Sequence, residues 1–298
     1  MKVTLAFRKA SPHYVTGAAA VVQVGPKWQQ VTIRGDVRTL FEMTRIAHDE
    51  LKAIRPDNQI LSPNITIHGV ALLDEFLGMG GGKYVDIISW HHYPTAQPEL
   101  SLPAITAVPD VMRRHSALDK PLWNTEGKPG GDPAVADQAG VPKQLSDDDA
   151  RAAVARAYLI QWAYGVRRFC WYIWDEAEQV ACVKLSRSTR DSTKPDYAAL
   201  TPTGEAYTTV AQWLIGSCML SKQIDQTGES QRWILEISRG GGYRGWIVWQ
   251  MEGTSEFKMP LQWGVQQARR LDGGQATTTQ GQIAIGAVPM LLENKVAP

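Results

Sequence analysis

Between residues 36 and 216 the chain switches repeatedly between a helical period and short apolar runs, and this alternation constrains the fold more than any other feature. Asp36 is placed to cap a helix in which Val37, Leu40, Phe41, Thr44, Ala47, Leu51 and Ile54 recur at helical spacing until Arg55-Pro56 stops it. QILSPNI (59–65) then reads as a short buried strand, VALLDEFLGM (70–79) as a helix closed by the glycines at 80–82, and YVDIISWHHY (84–93) as a strand. A helix is expected over 103–117, a strand over PLWNTEG (121–127), and a long helix over 146–165 with acidic residues at its favourable dipole end. VRRFCWYIWDE (166–176) completes the strands, and a helix follows over 201–216. Strands separated by helices predict parallel βαβ units with right-handed crossovers.

Both flanks have a different texture. Residues 3–35 hold three β-like runs, VTLAFR, AAAVVQV and WQQVTIRG, punctuated by Ser-Pro and Gly-Pro. After Gly216 come Gly-punctuated alternating runs (RWILEIS, YRGWIVWQM, SEFKMPL, ARRLDG, GQIAIG, PMLLEN), the pattern of an antiparallel β-sandwich or small barrel. The expected divisions are therefore a β segment at 1–35, an α/β part at 36–217 and a β-domain at 218–298.

With 31 basic and 30 acidic residues the net charge is +1, so no overall field favours nucleic acid or an anionic membrane, and a neutral partner fits best. The N-terminus MKVTLAFRKASPHYV lacks the apolar run of a secretory signal, and no stretch approaches the roughly 20 apolar residues of a membrane helix. Cys170, Cys182 and Cys218 have no metal-binding spacing and read as free thiols, a Cys182–Cys218 bridge being the alternative. The compartment stays open, and neither metal nor cofactor is expected.

Polar and aromatic residues gather at the C-terminal ends of three predicted strands: His91, His92 and Tyr93; Asn124 and Glu126; Trp171, Trp174, Asp175 and Glu176. In (β/α)8 barrels that rim carries the active site. A carboxylate among Trp, Tyr and His there suits nucleophilic or acid–base work on a sugar, and the 11 tryptophans include candidates for stacking on sugar faces. Trp162, Trp213, Trp246 and Trp249 fall within helix or strand periods and are expected in the core, whereas Trp28, Trp233 and Trp263 could be either.

ISWHHY (88–93), KPLWNTEG (120–127) and GVRRFCWYIWDE (165–176) resemble, in order, the sixth, seventh and eighth strands of clan A retaining glycoside hydrolases. The nearest pattern is that of cellulase-like and xylosidase-like barrels ending in a small β-domain. IRPDNQILSP resembles the fifth strand with its preceding helix, and residues 243–249 and 289–294 resemble the terminal domain, so the likeness runs from about residue 37 to 294. It implies an α/β plus β architecture: a partial (β/α)8 TIM-type barrel holding strands five to eight, an N-terminal β segment and a C-terminal antiparallel β-sandwich.

The resemblance also implies a hydrolase of β-linked sugars with Glu126 as nucleophile. His91 and Tyr93 match the pair that bonds near the nucleophile and the sugar, and Trp174 or Trp171 matches the aromatic floor. Asn124 and Asp175 would support the site or touch substrate, and His92 belongs to structure or rim. Such relatives are often secreted.

Two departures accompany the likeness. The acid/base Glu of the family lies in an Asn-Glu-Pro motif, which occurs nowhere in this sequence. In its place stands the segment 3–35, which resembles the closing strands of a carbohydrate-binding sandwich. Candidates for the second carboxyl are Asp175 and Glu176, then Asp36, Glu42 or a partner's residue. Cys218 resembles one half of a disulfide, yet the expected partner strand RWILEIS has no cysteine. Four parallel strands cannot close a barrel of eight. A homo-oligomer completing the barrel is the expectation, the alternatives being edge coverage by the N-terminal strands or by a separate chain. The functional readings are a glycosidase first, then a carbohydrate-binding pseudoenzyme, then a structural fragment.

Overall fold

The structure, a computed structural model, describes residues 5–7, 18–24, 27–33, 36–129, 145–172 and 200–296. The chain divides into two compact units, Met1–Trp90 with Val108–Leu122, and His91–Ala107 with Trp123–Pro298.

The first unit begins with an antiparallel sheet of β1 (Leu5–Phe7), β2 (Ala18–Val24) and β3 (Lys27–Ile33), which coincides with the three β-like runs. Helix α1 (Val37–Ile54) starts where the sequence predicts, because Asp36 in extended conformation accepts the Thr39 amide at 2.8 Å. Phe41 of α1 meets Phe76 of α2 (Val70–Gly78) and Tyr84, with ring centroids 6.3 and 5.5 Å apart, and Lys52 pairs with Asp86 at 3.0 Å. No residue of α1 is fully buried, and Met43, Ile46, Leu51 and Ile54 are exposed. Gly80, at φ +88°, ends α2 in the left-handed region open to glycine.

Residues 59–65 do not form the predicted strand. Pro63 has no amide to give, and the segment pairs with its neighbour through single parallel bridges, Leu61 to Ile87 and Ile65 to Trp90, rather than a continuous ladder. Paired serines reinforce them: Ser89 N–H donates to Ser62 Oγ at 2.9 Å, and Ser89 Oγ donates to the Ser62 carbonyl at 2.8 Å. The predicted strand 84–93 narrows to β4 (Ile88–His91), since Asp86 spends its carboxylate on the Ile60 amide and Lys52.

Strands β4, β5 (Leu122–Gly127) and β6 (Val166–Trp171) form a three-stranded sheet in that order. Ile88 N–H reaches Pro121 O and His92 N–H reaches Glu126 O, so β4 and β5 run parallel. Helix α3 (Leu102–Arg114) lies between them in sequence.

The second unit contains α4 (Asp147–Ala163) and α5 (Pro202–Leu214), capped by Ser146 and Thr201 side chains. Small residues Ala150, Ala152, Ala153, Ala155 and Ala157 are buried along α4, which lets neighbours approach closely. Arg156, also buried, pairs with buried Glu99 at 3.2 Å, and Trp249 Nε1 donates to the same Glu99 oxygen at 2.7 Å.

The rest of this unit is antiparallel. A five-stranded sheet runs in the order β11 (Gln267–Arg269), β13 (Met290–Glu293), β9 (Tyr243–Gln250), β8 (Ser230–Arg239) and β7 (Cys218–Thr227), beside a two-stranded sheet of β10 (Ser255–Lys258) and β12 (Gln282–Ile285). Trp246, Val248, Phe257, Ile283 and Leu292 from both sheets form one apolar cluster. Strand β7 escapes the sequence pattern because it is an exposed edge whose polar run SKQIDQT hides the alternation. Trp213, Trp246 and Trp249 are buried, and so is Trp233, stacked on Trp249 at 5.4 Å. Cys170 and Cys218 are free thiols, and Cys182 lies outside the described residues. Among the described residues no helix is long and apolar enough to cross a membrane.

Candidate active site

Strand β5 ends in Asn124, Thr125, Glu126 and Gly127, and β4 ends in His91 followed by His92 and Tyr93. Parallel pairing sets these two ends side by side, with the His92 amide on the Glu126 carbonyl at 3.1 Å. The Tyr93 hydroxyl donates to Glu126 Oε1, and His91 Nδ1 lies 3.5 Å from Glu126 Oε2. The two carboxylate oxygens thus face two different side chains. Glu126 is 34% and His91 26% exposed in their side chains, so the carboxylate is sheltered yet open to a ligand.

Beneath this pair is a buried amide network. Asn124, fully enclosed, accepts the His92 amide at 3.2 Å and the Glu126 amide at 3.3 Å through Oδ1. Its Nδ2 donates to the His92 carbonyl at 2.9 Å and to Gln161 Oε1 on α4 at 2.8 Å. All four hydrogen-bonding positions of the amide are thereby filled. A Cβ at Gly127 would collide with the His92 carbonyl oxygen and lie 3.0 Å from Asn124 Nδ2, so only glycine lets the strand ends come this close. Burial lowers the His92 pKa to about 4, which leaves that imidazole neutral at physiological pH.

Tyr172, just past β6, donates its amide to the Gly127 carbonyl at 2.9 Å and meets Tyr93 edge-on at 5.8 Å. Lys128, almost fully buried, has its ammonium 5.3 Å from the centre of the Tyr172 ring. Trp171, the neighbour of Tyr172, packs instead with Ala150, Val154 and Tyr207. The structure therefore brings together His91, Tyr93, Asn124 and Glu126, and engages Trp171 in packing. Trp174, Asp175 and Glu176 lie outside the described residues.

Gln161, Tyr172 and Lys128 were not among the residues predicted from sequence. Spacing gave no signal for Gln161, whose partner Asn124 lies 37 positions away, or for Lys128. For Tyr172 the signal was strand alternation, since Trp171 and Tyr172 must point to opposite faces.

A depression of about 390 Å³ lined by Arg151, Arg270, Asp272, Leu271 and Met290 contains none of the predicted side chains. Among the described residues no group of three or more His, Cys, Asp or Glu side chains is arranged to hold a metal ion.

No family model and no curated protein matches the sequence. Solved structures do match the fold. A GH51 arabinofuranosidase from Xanthomonas axonopodis pv. citri aligns with a TM-score of 0.56 at 13% identity, over 87% of this chain and 63% of its own. A glucosidase from Croceicoccus marinus aligns at 0.53 and 15%, over 88% and 66%. A glycoside hydrolase family 30 subfamily 8 xylanase from Clostridium acetobutylicum aligns at 0.51 and 11%, over 90% and 63%. The chain shares the fold of these glycoside hydrolases and spans less than two thirds of the length of each.

Proposed function

We propose that this chain is a glycoside hydrolase acting on β-linked sugars by a retaining mechanism, with Glu126 as nucleophile. The observation that carries the reading is the arrangement of Tyr93 and His91 on the two oxygens of the Glu126 carboxylate at a parallel strand end. A carboxylate so held is oriented for attack rather than free to rotate. In the reaction a Glu126 oxygen bonds to the anomeric carbon as the glycosidic bond breaks, and the departing oxygen takes a proton from a second carboxyl. Water then hydrolyses the glycosyl ester, giving its proton back to that group. Asp175 and Glu176 are the candidates for the second carboxyl. Tyr172, edge-on to Tyr93, extends the site on the β6 side, with the Lys128 ammonium over its ring. The names of the structural neighbours, an arabinofuranosidase, a glucosidase and a xylanase, support a glycoside substrate in general.

A carbohydrate-binding pseudoenzyme is the second reading, favoured by the absence of an Asn-Glu-Pro motif from the sequence. Assay of a panel of aryl β-glycosides, with Glu126→Gln alongside, separates the two. The enzyme reading expects phenolate release by the wild type and its loss in the variant. Release no greater than the variant's sinks it, and sugar binding by calorimetry without turnover supports the second.

The same reading takes the chain as strands five to eight of a (β/α)8 barrel followed by a β-sandwich, with the open edge closed in a homo-oligomer. Exposed Met43, Leu51 and Ile54 on α1 are consistent with a surface that another subunit covers. Light scattering tests this, and a well-folded monomer at micromolar concentration rules it out.

A further inference from the structure

We propose that Gln161 is a positioning residue for Glu126: it gives the Asn124 amide its fourth hydrogen bond, and so holds in place the side chain that joins the ends of β4 and β5. The inference rests on the reading of Glu126 as nucleophile, since a positioning role is defined by the group positioned.

The argument follows donors and acceptors. The Ala157 carbonyl can only accept, and Gln161 meets it at 3.3 Å, so Nε2 must face Ala157 and Oε1 must face away. Oε1 then requires a donor, which Asn124 Nδ2 supplies at 2.8 Å. This agrees with the way round that the backbone dictates for Asn124, whose Oδ1 accepts the His92 and Glu126 amides at 3.2 and 3.3 Å while Nδ2 donates to the His92 carbonyl at 2.9 Å. Were Asn124 reversed, Nδ2 would point at two N–H donors and Oδ1 at two acceptor oxygens. Gln161 and Asn124 are 1% and 0% exposed, so water cannot stand in for either bond. Gln161 Oε1 thus fills the one hydrogen-bonding position of Asn124 that no backbone group meets, and ties α4 to the amide that joins the backbone of Glu126 to that of the residue preceding Tyr93. Nothing in this chain of bonds requires Gln161 to touch substrate.

Two variants and two readouts test the role. Gln161→Leu removes both bonds, and kcat on an aryl β-glycoside should fall about tenfold or more with KM within about twofold, as small misplacements of reacting groups do. The Asn124 side-chain NH₂ resonances in ¹H–¹⁵N spectra should shift and exchange faster. Gln161→Glu mimics the native amide while its carboxyl is neutral and donates to Ala157; once ionised it can only accept. Its kcat should therefore match wild type at acid pH and fall as pH rises, a limb absent from the wild type. Tyr158, Arg167 and Arg168 line the same depression as Gln161; burial raises the Tyr158 pKa and lowers that of His92 to about 4, so the wild-type profile is recorded alongside and only the difference between the two proteins is read.

Wild-type kcat and unchanged Asn124 resonances in a folded Gln161→Leu overturn the proposal. If that variant does not fold, a Gln161→Glu profile superimposable on wild type overturns it. If the wild type hydrolyses nothing, the nucleophile reading has failed separately, and Asn124 resonances in Gln161→Glu that do not respond to pH then overturn the amide relay.

Discussion

The Tyr93 hydroxyl donates to Glu126 Oε1 across the ends of two parallel strands. This bond costs little to delete, because both groups are only half-buried and the ring keeps its edge-on packing against Tyr172. Tyr93→Phe is therefore expected to fold with a thermal midpoint within about 3 °C of wild type, while kcat on aryl β-glycosides falls by about 10- to 100-fold. Full activity in a variant shown by mass spectrometry to carry phenylalanine would remove Tyr93 from the mechanism.

Gly127 stands where the strands approach most closely. The side chain of Gly127→Ala would press on the His92 carbonyl, which already receives Asn124 Nδ2 at 2.9 Å, so relief requires breaking that bond or separating the strands. The expected cost is about 3 kcal/mol or more, in the range of steric and network disruption combined. Urea unfolding measures it, and an unchanged midpoint would mean the strands do not approach this closely.

Much of this was readable in advance, and the exceptions have physical reasons. Asp36 and the apolar spacing behind it announced α1, because capping and period act locally. His91, Tyr93 and Glu126 were legible as strand-end polar residues, since a parallel sheet brings successive strand ends together. Trp171 was expected at the sugar site, but strand alternation turns it toward Ala150 and Tyr207, and Tyr172 takes the place beside Tyr93. Gln161 could not be assigned from spacing alone. Its role depends on Asn124 lying opposite, a contact between residues 37 positions apart. The same holds for Glu99, whose partners Arg156 and Trp249 lie far along the chain.

Glu99 and Arg156 offer a test of that non-local packing. Both side chains are nearly inaccessible, at 1% and 4%, so removing one charge strands the other in a medium that solvates it poorly. Glu99→Leu and Arg156→Leu should each cost about 3–5 kcal/mol in urea unfolding. The double variant should cost clearly less than their sum, because it leaves no unpaired charge. Strict additivity in the double-mutant cycle would show that the two groups do not interact.

His92 makes the final prediction, a dependence of stability on pH. Its imidazole is buried and its pKa is lowered to about 4, whereas the unfolded chain should titrate near 6.5. Between those values the unfolded state binds the proton and the folded state does not, so protonation favours unfolding. The stability carried by neutral His92 is therefore fully present above pH 6.5 and drains away as pH falls toward 4. Its full extent is about 3 kcal/mol for a shift of this size. His92→Gln keeps a polar side chain without the titration, and its unfolding free energy should vary less than that of wild type across pH 4 to 6.5. Parallel pH profiles for the two proteins would show that His92 is protonated in the folded state, and the buried neutral imidazole would have to be abandoned.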